Sequence, residues 1–69
     1  MNISKDIKKY RLENKISNAK FAQIISEISG DKVAKSTVSR WENEQTYPNG
    51  KHMLAIQKLL NLEVKDILE

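Results

Sequence analysis

Apolar side chains return every three or four residues through almost all of this chain, and nowhere in strict alternation. Phe21, Ile24, Ile25 and Ile28 stand at i, i+3, i+4 and i+7, which puts them on one stripe of a helix. Ile7 and Tyr10 share that spacing behind Ser4, a candidate N-cap, with Asp6 favourable in the first turn. That first helix is expected to end near residues 14–15. Ser17 or Asn18 can cap the second, and Gly30 is its expected stop. Residues 30–33 read as a connection. A third helix, residues 35–44, carries Val38 and Trp41 three apart on one face. Residues 46–48, with Pro48, break the periodicity. Asn49 can cap a fourth helix with Met53, Ile56, Leu59 and Leu60 on its inner face and Asn61 just past its end. A last turn over residues 64–68 adds Ile67 and Leu68. The expectation is an all-α bundle of five short helices.

The chain has 69 residues and no cysteine, so it reads as a single domain, residues 1–69, without disulfides. A domain of this size must be held by packed aliphatic side chains. No apolar run approaches a membrane span, and no signal-peptide pattern opens the chain. A cytoplasmic protein without membrane association is expected. The net charge of +3 matters less than its distribution. Residues 1–41 hold nine Lys and Arg against four acids, whereas residues 42–69 hold three Lys against five acids. A basic front and an acidic back suit a one-sided anionic partner, a phosphate backbone or an acidic protein. Uneven charge on an ordinary domain fits the same numbers.

Candidate chemistry narrows the choice. His52 is the sole histidine, which excludes a histidine metal cluster and a triad within the chain. No glycine-rich phosphate loop or paired carboxylates in a cleft appear. No enzymatic activity, metal or cofactor is expected, and His52 is expected to meet solvent or a phosphate. Trp41 could anchor the third helix or offer a stacking platform to single strands. Its spacing with Val38 favours the anchor.

Two helices joined by a connection, the second opening with small polar and cationic groups, is the layout of a helix-turn-helix. In "KSTVSRWEN", residues 35–43, Val38 and Trp41 supply the docking face. Lys35, Ser36, Ser39 and Arg40 lie on the other side, and the first acid is Glu42, near the helix's end.

The sequence resembles the phage-repressor family of helix-turn-helix proteins, the Cro and XRE type. "STVSRWEN" followed by Pro48 is the strongest match. "YRLENKIS" resembles the end of the family's first helix. "FAQII" resembles its second, with Ala22 at the small position where the motif helices touch. "LLNLEVKDIL" resembles the closing helix pair. The resemblance implies a lambda-repressor-like fold and a double-stranded DNA partner. It implies base contacts from Lys35, Ser36, Ser39 and Arg40 in the major groove. It places phosphate contacts at Arg11, Asn18, Thr37, Asn43, Thr46, Tyr47 and Lys51, and an ion pair between Arg11 and Glu42. A homodimer on an inverted-repeat operator is implied too, with Leu62, Val64, Ile67 and Leu68 the candidate dimer surface.

The chain also departs from that family. Between Ile25 and Thr37 it is about six residues longer than usual, roughly residues 26–31. One extra turn of the second helix and a loop through Gly30, Asp31 and Lys32 would absorb them. Ala34 stands where a capping Ser is preferred, and Ser36 could cap instead. Glu44 replaces the usual Gly after "WEN", and Asn43 would tolerate a left-handed stop better. Asn18 stands where a longer Gln is common. Two alternatives remain at this point: a modulator that binds another repressor protein on the same fold, and the DNA-binding head of a longer regulator.

Overall fold

The computed structural model describes residues 2–68, with side-chain environments for residues 2–60. Its described residues form four helices and no strand: α1 (Ile3–Glu13), α2 (Asn18–Ser29), α3 (Lys35–Glu42) and α4 (Gly50–Leu68). The expected five helices are therefore four. Asn61 does not stop the fourth helix, and residues 64–68 belong to the same continuous α4. Asparagine in a helix interior costs only a few tenths of a kcal/mol relative to the best formers (~0.7 at most), and leucines flank it on both sides.

α2 packs on α3 and α4, and α1 on α3. The core gathers Ile7, Phe21, Ala22, Ile25, Val33, Val38, Trp41, Ala55 and Ile56. Tyr10 meets Phe21 edge-on, with ring centroids 6.0 Å apart and planes at 67°. Each fully buried large aliphatic or aromatic side chain contributes about 1.5–3 kcal/mol, which is how so short a chain folds without staples. The α2 stripe is graded along its length. Phe21 and Ile25 are fully buried, Ile24 half-buried, and Ile28 in the last turn exposed.

Two hydroxyls tie separate elements together. Asn2, not Ser4, caps α1, its side chain accepting from the Lys5 N–H at 3.2 Å. Starting the helix there places Ser4 inside, where its hydroxyl donates to the Trp41 carbonyl at 2.6 Å. That carbonyl lies in the last turn of α3, where carbonyls lack helical partners. Ser26 donates to the Ala22 carbonyl at 2.7 Å and accepts the Val33 N–H at 2.8 Å. It thereby pins residues 30–34 to α2 while Val33 plugs the core.

The helix ends follow specific caps. Ser17 caps α2, accepting from the Lys20 N–H, and Gly30 ends it with φ +71°. α3 stops at Glu42, two residues earlier than expected. The left-handed residue is Glu44, with φ +59°, and not Asn43. Glu44 N–H donates to Trp41 O and Gln45 N–H to Arg40 O, the paired bonds of a Schellman stop. Lys15, with φ +54°, closes α1 through the same two bonds, to Leu12 and Arg11. A left-handed L-residue costs about 1–2 kcal/mol, partly offset by the greater freedom glycine has when unfolded. Glu44→Gly should therefore stabilise the domain by about 0.5–1 kcal/mol, raising Tm by roughly 2–8 °C in a thermal melt. An unchanged or lower Tm would refute the strain at this position.

Candidate nucleic-acid interface

α3 is fastened on its inner side and open on its outer side. Val38 is fully buried and Trp41 2 % exposed. A third fastening comes from α1. Arg11 Nε donates to Glu42 Oε2 at 2.8 Å and Nη2 to Oε1 at 3.1 Å, a two-pronged ion pair across 31 residues of sequence. Arg11 Nη1 also donates to the Ile16 carbonyl at 3.2 Å. The Glu42 hydrogen bonds raise the pKa of the guanidinium, burial opposes this, and the charge of Glu42 adds to the rise. The pair is mostly shielded from solvent, so its loss is felt more than that of a surface pair. Glu42→Gln should cost about 1–2 kcal/mol of stability, readable as a lower denaturant midpoint. An unaltered midpoint would reduce the pair to a surface ornament.

On the open side, Ser36, Ser39, Arg40 and Asn43 follow one another at i, i+3, i+4 and i+7. Ser36, Arg40 and Asn43 are exposed and Ser39 is half-buried. Lys35 is exposed at the helix's first residue, and Thr37 is half-buried on the flank. Ala34 is the N-cap and makes no side-chain cap bond. Lys35 is therefore inside the helix, and Ser36 does not start it. The start of α3 has no side-chain cap, and its Thr37 and Val38 N–H groups donate to the Ala34 carbonyl. Eight residues at 1.5 Å each give a helix of roughly 12 Å, the width of a B-DNA major groove.

The remaining candidates are spread around this face. Asn18 opens α2, half-buried, and its Oδ1 is buried without a hydrogen-bond partner. Asn43, Thr46 and Tyr47 are exposed in the connection between α3 and α4. Tyr47 lines a concavity with Ile3 and Met53, on the α1 side. Lys51 lines a different one, beside Ile28 and Ser29. It thus sits by the end of α2 opposite to Asn18, about 18 Å along a helix of twelve residues. Leu62, Val64, Ile67 and Leu68, the candidate dimer surface, lie outside the residues with described side chains. His52 departs from expectation: it is half-buried, against Trp41 and Asp31, and not turned to solvent. Nothing in the local sequence distinguishes it from an exposed residue of a first helical turn.

The described residues contain no cluster of three metal-ligating side chains, and no helix among them is long and apolar enough to cross a membrane. A helix-turn-helix family model matches residues 7–67. The chain belongs to that family, the Cro/C1 type of helix-turn-helix domain. This is a DNA-binding, transcription-regulating family and not a catalytic one. No curated protein and no solved structure matches the chain.

Proposed function

We propose that the chain is a sequence-specific regulator of transcription, of the phage or bacterial repressor type, that inserts α3 into the major groove of double-stranded DNA. The observation that carries this reading is the two-sidedness of α3. Val38 and Trp41 are sealed into the core, while Lys35, Ser36 and Arg40 stand in solvent with Ser39 beside them. Arg40 or Lys35 can pair with guanine O6 and N7, and the serine hydroxyls donate or accept and so discriminate less.

Phosphates supply the affinity. Asn18, Thr37, Asn43, Thr46, Tyr47 and Lys51 are the proposed contacts. With its oxygen turned inward, Asn18 offers its amide donor to a phosphate oxygen. Arg11 commits three of its five donors to Glu42 and Ile16 and keeps two for a phosphate. The protein acts in the cytoplasm as a homodimer on an inverted repeat, its half-sites about 34 Å apart. The connection between α2 and α3, residues 30–34, is a lengthened form of the family's turn.

Salt tests the reading. Duplex affinity should fall by about 10³-fold between 50 and 200 mM salt, the loss of a complex that neutralises six or more phosphates. Duplex binding that ignores salt, or its absence, would reject it. A second reading has one observation in its favour. Ile28 and Leu54, 39 % and 67 % exposed, line one concavity and could receive another repressor protein. Apolar docking of that kind would barely respond to salt.

A further inference from the structure

An open concavity of about 700 Å³ runs between α2 and the connection into α3. From α2 it takes Ala19 and Gln23, from the connection Lys32, and from α3 the first residue, Lys35. Both of its borders adjoin proposed duplex contacts. Ala19 follows Asn18, the phosphate contact at the start of α2, and Lys35 opens the groove-facing side of α3. Gln23 stands about 6 Å further along α2 than Ala19, roughly one helical turn. A duplex held at both borders passes over what lies between them, Gln23 and Lys32.

Lys32 is exposed, and its ammonium has no partner among the described residues. The backbone on either side of it is fixed. Gly30 N–H donates to the Ser26 carbonyl at 2.9 Å, and Asp31 N–H to Ser29 Oγ at 3.1 Å. Val33 is buried, and its N–H donates to Ser26 Oγ at 2.8 Å. A cation displayed from an ordered loop loses less freedom on binding than one on a free loop. Neither Lys32 nor Lys35 is in an ion pair among the described residues, although both line the one concavity. Two like charges there repel each other, and an anion between them relieves this. Glu27 and Asp31 also line the concavity. The Asp31 carboxylate is drawn toward α4, 3.2 Å from His52 Nε2, while Glu27 is exposed. An anionic strand is therefore favoured along Gln23, Lys32 and Lys35 and opposed beside Glu27.

We infer that Gln23 and Lys32 form a further backbone-phosphate site, built by the lengthened connection between α2 and α3. The inference rests on the DNA-binding reading above. Lys32 neutralises one phosphate, and the Gln23 amide donates to the same strand. Neither residue touches a base. The site adds affinity common to every sequence, and selectivity stays with α3.

The experiment measures affinity for a selected duplex and for an unrelated duplex of equal length, from about 50 to 200 mM salt. The proteins are wild type, Lys32→Ala, Lys32→Arg, Gln23→Ala and Glu27→Gln. All three positions are exposed, so every variant should fold, which thermal melts verify. Lys32→Ala should weaken both duplexes by the same factor, roughly 5-fold, and make the log–log salt slope shallower by about 0.9. Lys32→Arg should keep the wild-type slope. Gln23→Ala should weaken both duplexes with the slope unchanged, because no charge is lost. Glu27→Gln should tighten both. An unchanged slope in Lys32→Ala, an unchanged affinity in Gln23→Ala, or a weaker Glu27→Gln would overturn the site while leaving the DNA reading in place. A Lys32→Ala loss confined to the selected duplex would also overturn it, by putting Lys32 on a base. A wild type that binds neither duplex would overturn the DNA reading and this site with it.

Discussion

Trp41→Ala should leave the domain largely unfolded at 37 °C. The indole is 2 % exposed and forms part of a core with few other large side chains. Removing a buried aromatic costs about 3–5 kcal/mol. A single core in a chain of this length supplies about the same amount in total. The loss also strips the His52 ring of its neighbour and loosens the α3 end that Ser4 and Glu42 hold. Trp41→Phe, which keeps a ring in the site, should retain a folded, weaker domain. Circular dichroism against temperature reads all three proteins. A Trp41→Ala variant that melts within a few degrees of wild type would mean that α3 is not moored through this residue.

Arg40→Ala should do the opposite, leaving stability intact and damaging recognition. Its side chain is exposed and has no partner among the described residues, and alanine is the better helix former. The backbone carbonyl of residue 40, which accepts from Gln45 and Thr46, is untouched by the change. Losing a two-pronged guanine contact costs about 1–3 kcal/mol, a roughly 5- to 150-fold drop in affinity. The loss should be confined to one base position in each half-site, so that selection from a random duplex pool returns a site degenerate there. Asn18→Ala should weaken every duplex alike. A uniform loss for Arg40→Ala would move it from the bases to the phosphates.

The difference between these two substitutions follows from the spacing of residues 35–43, and that much was legible in the chain. Periodicity also gave α2 its inner residues, Phe21 and Ile25, and Gly30 its stop. It did not say where neighbouring helices end, so Ile28 reads as core and emerges exposed. Val33 stands alone in a connection and has no period to reveal it, yet it is buried. Ser4 looks like an ordinary capping residue, and Ser26 like one more residue of the lengthened segment. Their partners, Trp41 and Val33, become visible only once helices pack. The left-handed stop falls on Glu44, four residues before the buried Pro48. No local preference of glutamate announces that. The Arg11–Glu42 pairing is beyond any reading of single-helix spacing, and only likeness to the repressor family pointed to it. The same holds for His52 and Asp31, which no likeness pointed to.

The most direct test of the whole account is nuclear magnetic resonance of the labelled protein bound to a selected duplex. The account predicts intermolecular contacts from Ser36, Ser39 and Arg40 side chains to major-groove protons, cytosine H5 and thymine methyl, while Val38 and Trp41 keep their contacts to Ile7 and Phe21. Contacts of the duplex to another surface, with the Lys35–Arg40 side unperturbed, would contradict it.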